Sequence, residues 1–443
     1  MHDLIEFFRP HLLPLLYAVV IVALLPLVAG YIVLLERKVM ADMQARLGPM
    51  RVGPHGLLQP IADALKLLIK EDIIPESADA WIFWFAPVIS VTTAMLAMAA
   101  LAFGPSFQIA KDINVGILFV VGVSALGIFG IVLGGWASNS HYSLLGALRS
   151  SAQLVSYETA GGMAIVSGLL LSRSLRIRGI VEMQNAQHVW FVFLAPIAFF
   201  IYLVASIAET NRAPFDLPEA ESELVAGYMT EFSGFRWALY FLAEYANMMV
   251  VASVATTLFL GGWLRPFPNA SWGVVFDYVP PLLMVLVGFY SFLRAPKQPV
   301  QVQKLFMVAV GGLCLLLAVA LALPQFAAAG SFLAGLKPAV HGGFWFLLKV
   351  FLYLYVFMWL RFTLPRYRFD QLMKLGWHFL IPVSIVNVMS LALGLALYWQ
   401  LHWKPWAALL LTTAITLAIA LWLIAGETRR SAAEAQRSGA HAG

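Results

Sequence analysis

Residues 36–75 read ERKVMADMQARLGPMRVGPHGLLQPIADALKLLIKEDIIP, and this stretch separates two long apolar segments of the chain. One apolar segment ends at Leu35, and the next begins near Trp81. Six lysines and arginines lie in the stretch, together with repeated Gly and Pro and one amphipathic run. A simple connection between two membrane helices needs only a few polar residues. The segment is therefore predicted to lie at a membrane surface and to hold another molecule there.

The composition indicates an integral membrane protein, because 61% of the residues are hydrophobic and only 12% are charged. The apolar runs are continuous rather than alternating, which excludes a membrane β-barrel. Runs of about twenty residues suffice to cross a bilayer as helices. Such runs lie at 11–35, 81–103, 114–136, 152–172, 188–208, 238–262, 278–294, 305–326, 342–362, 377–399 and 405–425. The predicted fold class is all-α, with about eleven transmembrane helices.

The distribution of Lys and Arg predicts the orientation in the membrane. With the amino terminus on the outer face of a bacterial-type cytoplasmic membrane, most of the 28 basic residues lie inside. The long charged loops 36–80, 209–237 and 363–376 are then cytoplasmic, and function is predicted at that face. Residues 1–425 are predicted to form one transmembrane domain, and residues 426–443 a polar, disordered tail.

Motifs for cofactors are missing from the sequence. The chain has one cysteine, Cys314, which excludes an iron–sulfur cluster, a Cys-based zinc site or a disulfide within the chain. No glycine-rich nucleotide motif follows a strand. We therefore expect no metal, no bound cofactor and no redox catalytic residue in this chain.

An amphipathic helix is predicted in the first inner loop. Leu57, Ile61, Leu65 and Leu68 recur at helical spacing, which is typical of a helix lying in the membrane interface. Two interpretations remain open. The segment is either a basic anchor for lipid headgroups or a portal for an amphiphilic ligand beside the first transmembrane helix.

The second inner loop, residues 208–234, is acidic and contains two prolines that prevent a continuous helix. Clustered carboxylates raise one another's pKa, so the loop is either a solvated surface or a device that handles protons. Its candidate residues are Asp216, Glu219, Glu221, Glu223 and Glu231.

Three ionisable residues lie inside apolar runs: Glu158, Glu244 and Lys349. Placing a charge in the bilayer core is costly, so these residues are functional candidates, although helix–helix hydrogen bonding is an alternative. In the third loop, Arg361, Arg366 and Arg368 are expected either to pair with the acidic loop or a docked subunit, or to act as ordinary positive-inside anchors.

Three motifs carry a resemblance to a known family. They are ERKVMADMQARLGPMRVGPHGLLQPIADALKLLIKE at 36–71, NRAPFDLPEAESELVAGY at 211–228 and LPRYRFDQLM at 364–373. Together and in this order they resemble the family of the H subunit, also numbered subunit 1, of respiratory complex I, the proton-translocating NADH:quinone oxidoreductase. The resemblance covers about 1–262 and 342–399. It implies eight family helices, an insertion of two helices at 263–341 and one additional helix near the carboxyl terminus.

The resemblance implies a role at the junction of quinone chemistry and the membrane. Residues that would line or brace the quinone tunnel are Glu36, Arg37, Arg46, Asp63 and Lys66. The acidic-loop residues would couple this tunnel to a proton path that continues through Glu158, Glu244 and Lys349. Quinone would be the substrate, and flavin and iron–sulfur clusters would belong to partner subunits of the membrane arm and the soluble arm.

Other function classes compete with this interpretation. A free-standing ion or proton transporter would often show inverted repeats, and no internal symmetry is visible in the sequence. The membrane subunit of an energy-converting hydrogenase would couple to ions without a quinone, and the uninterrupted motif at 46–71 argues against it. A purely structural anchor would have no use for Glu158 and Glu244.

Overall fold

The computed structural model describes residues 2–105, 113–216, 226–268, 271–298, 300–326, 332–400 and 405–440. Within these ranges the regular secondary structure is helical, which confirms the predicted all-α membrane fold. The α-helices are α1 His2–Met43, α2 Gln59–Ile69, α3 Ala80–Ala100, α4 Gly116–Ala137, α5 His141–Ser172, α6 Ile177–Gln187, α7 Phe191–Leu194, α8 Pro196–Glu209, α9 Gly234–Leu258, α10 Val279–Arg294, α11 Gln301–Phe326, α12 Phe332–Thr363, α13 Phe369–Lys374, α14 Ile381–Gln400 and α15 Pro405–Ala440.

Ten helices in the described ranges are long and apolar enough to cross a membrane. The predicted run 188–208 is not one of them, so a single helix there is wrong. The run is divided into α7 and α8 at Ala195, whose backbone is not helical. The cause is Pro196, which lacks an N–H group and is favoured in the first turn of a new helix. The remaining helix, Pro196–Glu209, has only 14 residues.

Helix α1 extends beyond its predicted end. Glu36, Arg37 and Lys38 lie within the helix rather than in a loop, because no Gly or Pro interrupts the chain before Gly48. The predicted amphipathic helix is confirmed as α2, with Pro60 in its first turn.

Helix α9 lies at the centre of the packing. It contacts α1, α2, α3 and α12, and 72% of its apolar window is buried, the largest share among the candidate spans. Helix α5 packs against α4, α8 and α14, and it also meets the 3₁₀ turn Gly227–Met229. A Cβ atom on Gly146 of α5 would lie 2.6 Å from the Cα atom of Gly227. The two backbones therefore meet at a distance that only glycine permits.

Helices α10 and α11 pack against each other and against α12. They correspond to the predicted insertion 263–341. Its two ends are joined by Asp277, which forms ion pairs with Arg265 at 2.8 Å and with Lys337 at 3.0 Å. These pairs attach the helical hairpin to the start of α12.

Two differences concern the carboxyl-terminal part. A π-helical segment, Leu375–Leu380, joins α13 to α14, so the predicted run 377–399 begins inside a longer helical segment. Helix α15 continues to Ala440, and helix therefore covers most of the tail for which the sequence predicts disorder.

Candidate functional site

A cavity of about 590 Å³ lies where α1, α9, α12 and the turn Gly227–Met229 meet. Its volume is in the range of small-molecule binding sites. The wall combines apolar and aromatic side chains with several ionisable ones. The lining residues are Val33, Glu36, Arg37, Met40, Arg212, Asp216, Ala226, Met229, Trp237, Phe241, Tyr245, Arg361, Phe362 and Arg366.

Glu36 is the most enclosed carboxylate of this large cavity, with 5% of its surface exposed. The hydroxyl of Tyr245 donates a hydrogen bond to Glu36 Oε2 at 2.5 Å, and the Arg361 guanidinium donates to Glu36 Oε1. A buried carboxylate is stable when charged groups and hydrogen bonds compensate its lost hydration. Helices α1, α9 and α12 are therefore joined by one polar cluster at the cavity wall.

A second pair joins α1 to the amphipathic helix. Arg37 donates to Asp63 Oδ2 at 2.7 Å, and the side-chain amide of Gln59 donates to Asp63 Oδ1 at 3.0 Å. Lys38 donates to the backbone carbonyl of His55 at 2.6 Å. Burial lowers the pKa of His55, and the charge of Lys38 lowers it further. The first loop is thus held against α1 by both its helix and its turn.

Arg212 lies between the large cavity and a smaller one. It is 4% exposed, and its Nη2 atom lies 3.2 Å from Glu244 Oε2. Its guanidinium carbon lies 4.4 Å from the centre of the Tyr245 ring, a cation–π geometry. Arg212 lines the large cavity, whereas Glu244 lines the smaller one. One ion pair therefore separates the two spaces.

The smaller cavities are lined by carboxylates and hydroxyls. The first, of about 50 Å³, includes Glu158, Glu209 and Glu244 in its wall, and the Tyr228 hydroxyl donates to Glu244 Oε1 at 3.5 Å. The second, of about 30 Å³, includes Glu158 and Glu209 again, together with Tyr202. Polar cavities of this size have room for ordered water. Glu158 and Glu209 line both spaces and so connect them.

The second and third loops meet beside the large cavity. Arg366 donates to the backbone carbonyl of Asp216, and the backbone N–H of Tyr367 donates to the carbonyl of Pro214 at 3.1 Å. Arg368 is exposed and occupies the N-cap position of α13. Of the three predicted arginines, Arg361 and Arg366 therefore line the cavity and Arg368 does not.

Several predicted site residues lie elsewhere. Arg46 and Lys66 are exposed, and Glu231 is half-buried in the turn before α9. Glu219, Glu221 and Glu223 lie outside the described residues.

Lys349 is not brought together with the carboxylates of the small cavities. Its amine donates to the carbonyl groups of Leu260, Gly262 and Leu264 at 2.6, 2.9 and 2.6 Å, and it lies 4.3 Å from the centre of the Trp190 ring. The amine thus satisfies backbone carbonyls that follow the end of α9.

Sequence reasoning missed three residues of the arrangement: Arg212, Glu209 and Tyr245. Glu209 ends an apolar run, and that position was a usable signal. Nothing local indicates that Tyr245 contacts Glu36, because 209 positions separate them. Among the described residues, no group of three or more His, Cys, Asp or Glu side chains could hold a metal ion.

Comparisons with known proteins agree with the arrangement of helices and cavities. The profile of the NADH dehydrogenase family matches residues 15–392. The second of two H subunits of NADH-quinone oxidoreductase in Solibacter usitatus is 54% identical over 387 residues, which cover 86% of this chain and 96% of that protein. The first H subunit of the same enzyme in Koribacter versatilis is 50% identical over 379 residues, covering 81% and 86%. The second H subunit in Geobacter metallireducens is 40% identical over 381 residues, covering 82% and 89%.

The family profile spans most of the chain, and the similarity to these relatives extends over most of their length. The chain therefore belongs to the H-subunit family of NADH-quinone oxidoreductase, respiratory complex I, as a multi-pass membrane component whose partners are the other subunits of that enzyme.

Proposed function

We propose that this subunit forms the membrane part of the quinone tunnel and the first section of a charged path that couples quinone chemistry to proton translocation. One observation carries the proposal. The 590 Å³ cavity is separated from the carboxylate-lined cavities by the buried pair Arg212–Glu244, whose N···O distance is 3.2 Å.

The large cavity suits an amphiphilic, planar ligand. Trp237, Phe241 and Phe362 offer apolar surface to a ring or to the start of an isoprenoid tail. The cluster of Glu36 and Arg361 supplies polar groups at fixed positions. A quinone needs both kinds of contact, because its carbonyl oxygens accept hydrogen bonds while its tail remains in apolar surroundings.

Coupling follows from the position of Arg212. Quinone reduction changes charge and proton occupancy in the large cavity, and such a change acts strongly on a neighbouring buried ion at low dielectric. Arg212 contacts Glu244, and Glu244 shares a cavity with Glu209 and Glu158. A shift of the Arg212 charge would therefore change the proton affinity of these carboxylates in sequence.

The remaining predicted residues have supporting parts. Arg37 and Asp63 hold α2 against α1, while Arg46 and Lys66 face outward, where they would meet headgroups or a partner subunit. The acidic loop, with Asp216, Glu219, Glu221, Glu223 and Glu231, would respond to quinone beside the cavity. Lys349 would stabilise the chain after α9 rather than carry protons.

The same proposal includes the orientation and the origin of the electrons. The charged loops would lie on the cytoplasmic side of the bacterial inner membrane, with the amino terminus outside. Electrons would reach quinone from flavin and iron–sulfur clusters held by partner subunits.

Photolabelling of the assembled complex with a quinone analogue that carries a photoreactive group on its ring tests the location of the tunnel. We expect labelled peptides of this subunit from α1 around Val33–Met40 or from α9 around Trp237–Tyr245, and excess unlabelled quinone should prevent the labelling. Displaceable label confined to α10, α14 or α15 would contradict the proposal.

A further inference from the structure

The hairpin of α10 and α11 contacts more than its own attachment point. Helix α11 packs along α12, and it also contacts the 3₁₀ turn Pro54–Gly56 of the first loop. Helix α12 carries Arg361, and the first loop carries Asp63, the partner of Arg37. The hairpin thus bridges two segments that hold opposite parts of the large cavity wall.

The contact with the first loop involves two aromatic rings. The ring centres of His55 and Phe306 are 6.0 Å apart, with an angle of 44° between the ring planes. This separation lies within the range of favourable aromatic pairs. Phe306 lies near the start of α11, and both residues are half-buried.

The turn itself has a closely specified backbone. His55 adopts φ 52°, in the left-handed region that non-glycine residues seldom occupy. Gly56 adopts φ 75°, and a Cβ atom there would lie 2.2 Å from the carbonyl oxygen of Pro49. Lys38 holds the carbonyl of His55 at 2.6 Å. Such a conformation persists only when the surroundings support it, and Phe306 is part of those surroundings.

We infer that α11 positions the first loop for quinone access, with Phe306 as a positioning residue that acts through His55. The inference rests on the proposed quinone tunnel and goes beyond it by giving the 263–341 hairpin a task. The hairpin sets the separation between the first loop and α12, where the quinone tail passes. Loss of the Phe306 ring should therefore weaken the binding of long-tailed quinone more than the binding of a short-tailed analogue.

The test compares Phe306→Ala, Phe306→Leu and Phe306→Tyr in the whole complex reconstituted in vesicles. An aromatic pair contributes roughly 0.5–1.5 kcal/mol. Phe306→Ala and Phe306→Leu should therefore raise KM for an isoprenoid quinone about two- to tenfold, with kcat unchanged. KM for a decyl-tailed quinone should change less. Phe306→Tyr keeps the ring and should retain the parental KM.

Phe289→Ala is the matched control, since Phe289 is 60% exposed on α10. It should leave both KM values as in the parent. NADH oxidation by ferricyanide measures the amount of assembled complex in each preparation. A parental KM for long-tailed quinone in assembled Phe306→Leu, or an equal rise in Phe289→Ala, would overturn the inference. Photolabel on α1 or α9 in that same preparation would show that the tunnel proposal stands without it.

Discussion

Glu36 illustrates what one residue contributes and how little of it can be predicted from sequence. Its position at the end of an apolar run marked it as a candidate. Its partner Arg361 follows 325 positions later, and no sequence pattern joins the two. Glu158 and Glu244 were recognisable because charge inside an apolar run is costly, and both line the small cavities. Lys349 was equally recognisable, yet its carbonyl partners depend on how the chain turns after α9.

Tyr245→Phe tests the polar cluster around Glu36. The substitution removes the hydroxyl that donates to Glu36 at 2.5 Å and keeps the ring. A hydrogen bond to a charged group contributes about 1.5–3 kcal/mol, so kcat/KM for quinone should fall at least about tenfold. Ferricyanide reduction should persist in the assembled complex.

Tyr290→Phe provides the control for the loss of a tyrosine hydroxyl, because Tyr290 is 54% exposed on α10. Its quinone kinetics should equal those of the parent. Unchanged kcat/KM in assembled Tyr245→Phe would show that the cluster has no part in quinone reduction.

At the scale of the helices, periodicity predicted what local sequence determines. The apolar spacing of the first loop predicted α2, and the structure confirms it. The predicted helix over 188–208 was wrong because hydrophobicity outweighed Pro196 in the interpretation. The π-helical segment Leu375–Leu380 has no sequence signature, since it depends on packing: a Cβ atom on Gly376 would lie 2.6 Å from the Ser156 hydroxyl oxygen.

Gly146→Ala tests the close approach of α5 to the turn Gly227–Met229. The new methyl group would lie 2.6 Å from backbone, so α5 or the turn must move. Overpacking of this kind costs about 1–3 kcal/mol. We expect a lower midpoint temperature for loss of quinone reductase activity and less assembled complex.

Gly122→Ala in α4 is the matched control, because no neighbouring atom of the described residues lies within 4 Å of the added methyl group. That variant should be as stable as the parent or slightly more stable, since alanine favours helix. Equal midpoints for the two variants would contradict the close contact seen at Gly146.

At the scale of the whole molecule, the three cavities follow one another through named contacts. The large cavity adjoins Arg212, Arg212 pairs with Glu244, and Glu158 and Glu209 line both smaller cavities. Composition predicted the membrane class, and the motifs predicted the family. The order of the cavities could not be predicted, because it depends on contacts among α5, α8 and α9 rather than on spacing within any of them.

Proton translocation by the Glu244→Gln complex tests the central claim most directly. The complex is reconstituted in vesicles, and protons moved per NADH oxidised are recorded together with quinone reduction. Glutamine keeps the shape and hydrogen bonding of Glu244 and removes its titration. Exposed Glu182, whose side chain is 69% accessible, gives the matched control Glu182→Gln. We predict retained ferricyanide reduction, quinone-coupled turnover at least about tenfold lower and fewer protons per NADH in Glu244→Gln alone. Parental turnover and proton stoichiometry in assembled Glu244→Gln would contradict the account and leave Glu244 as a packing element.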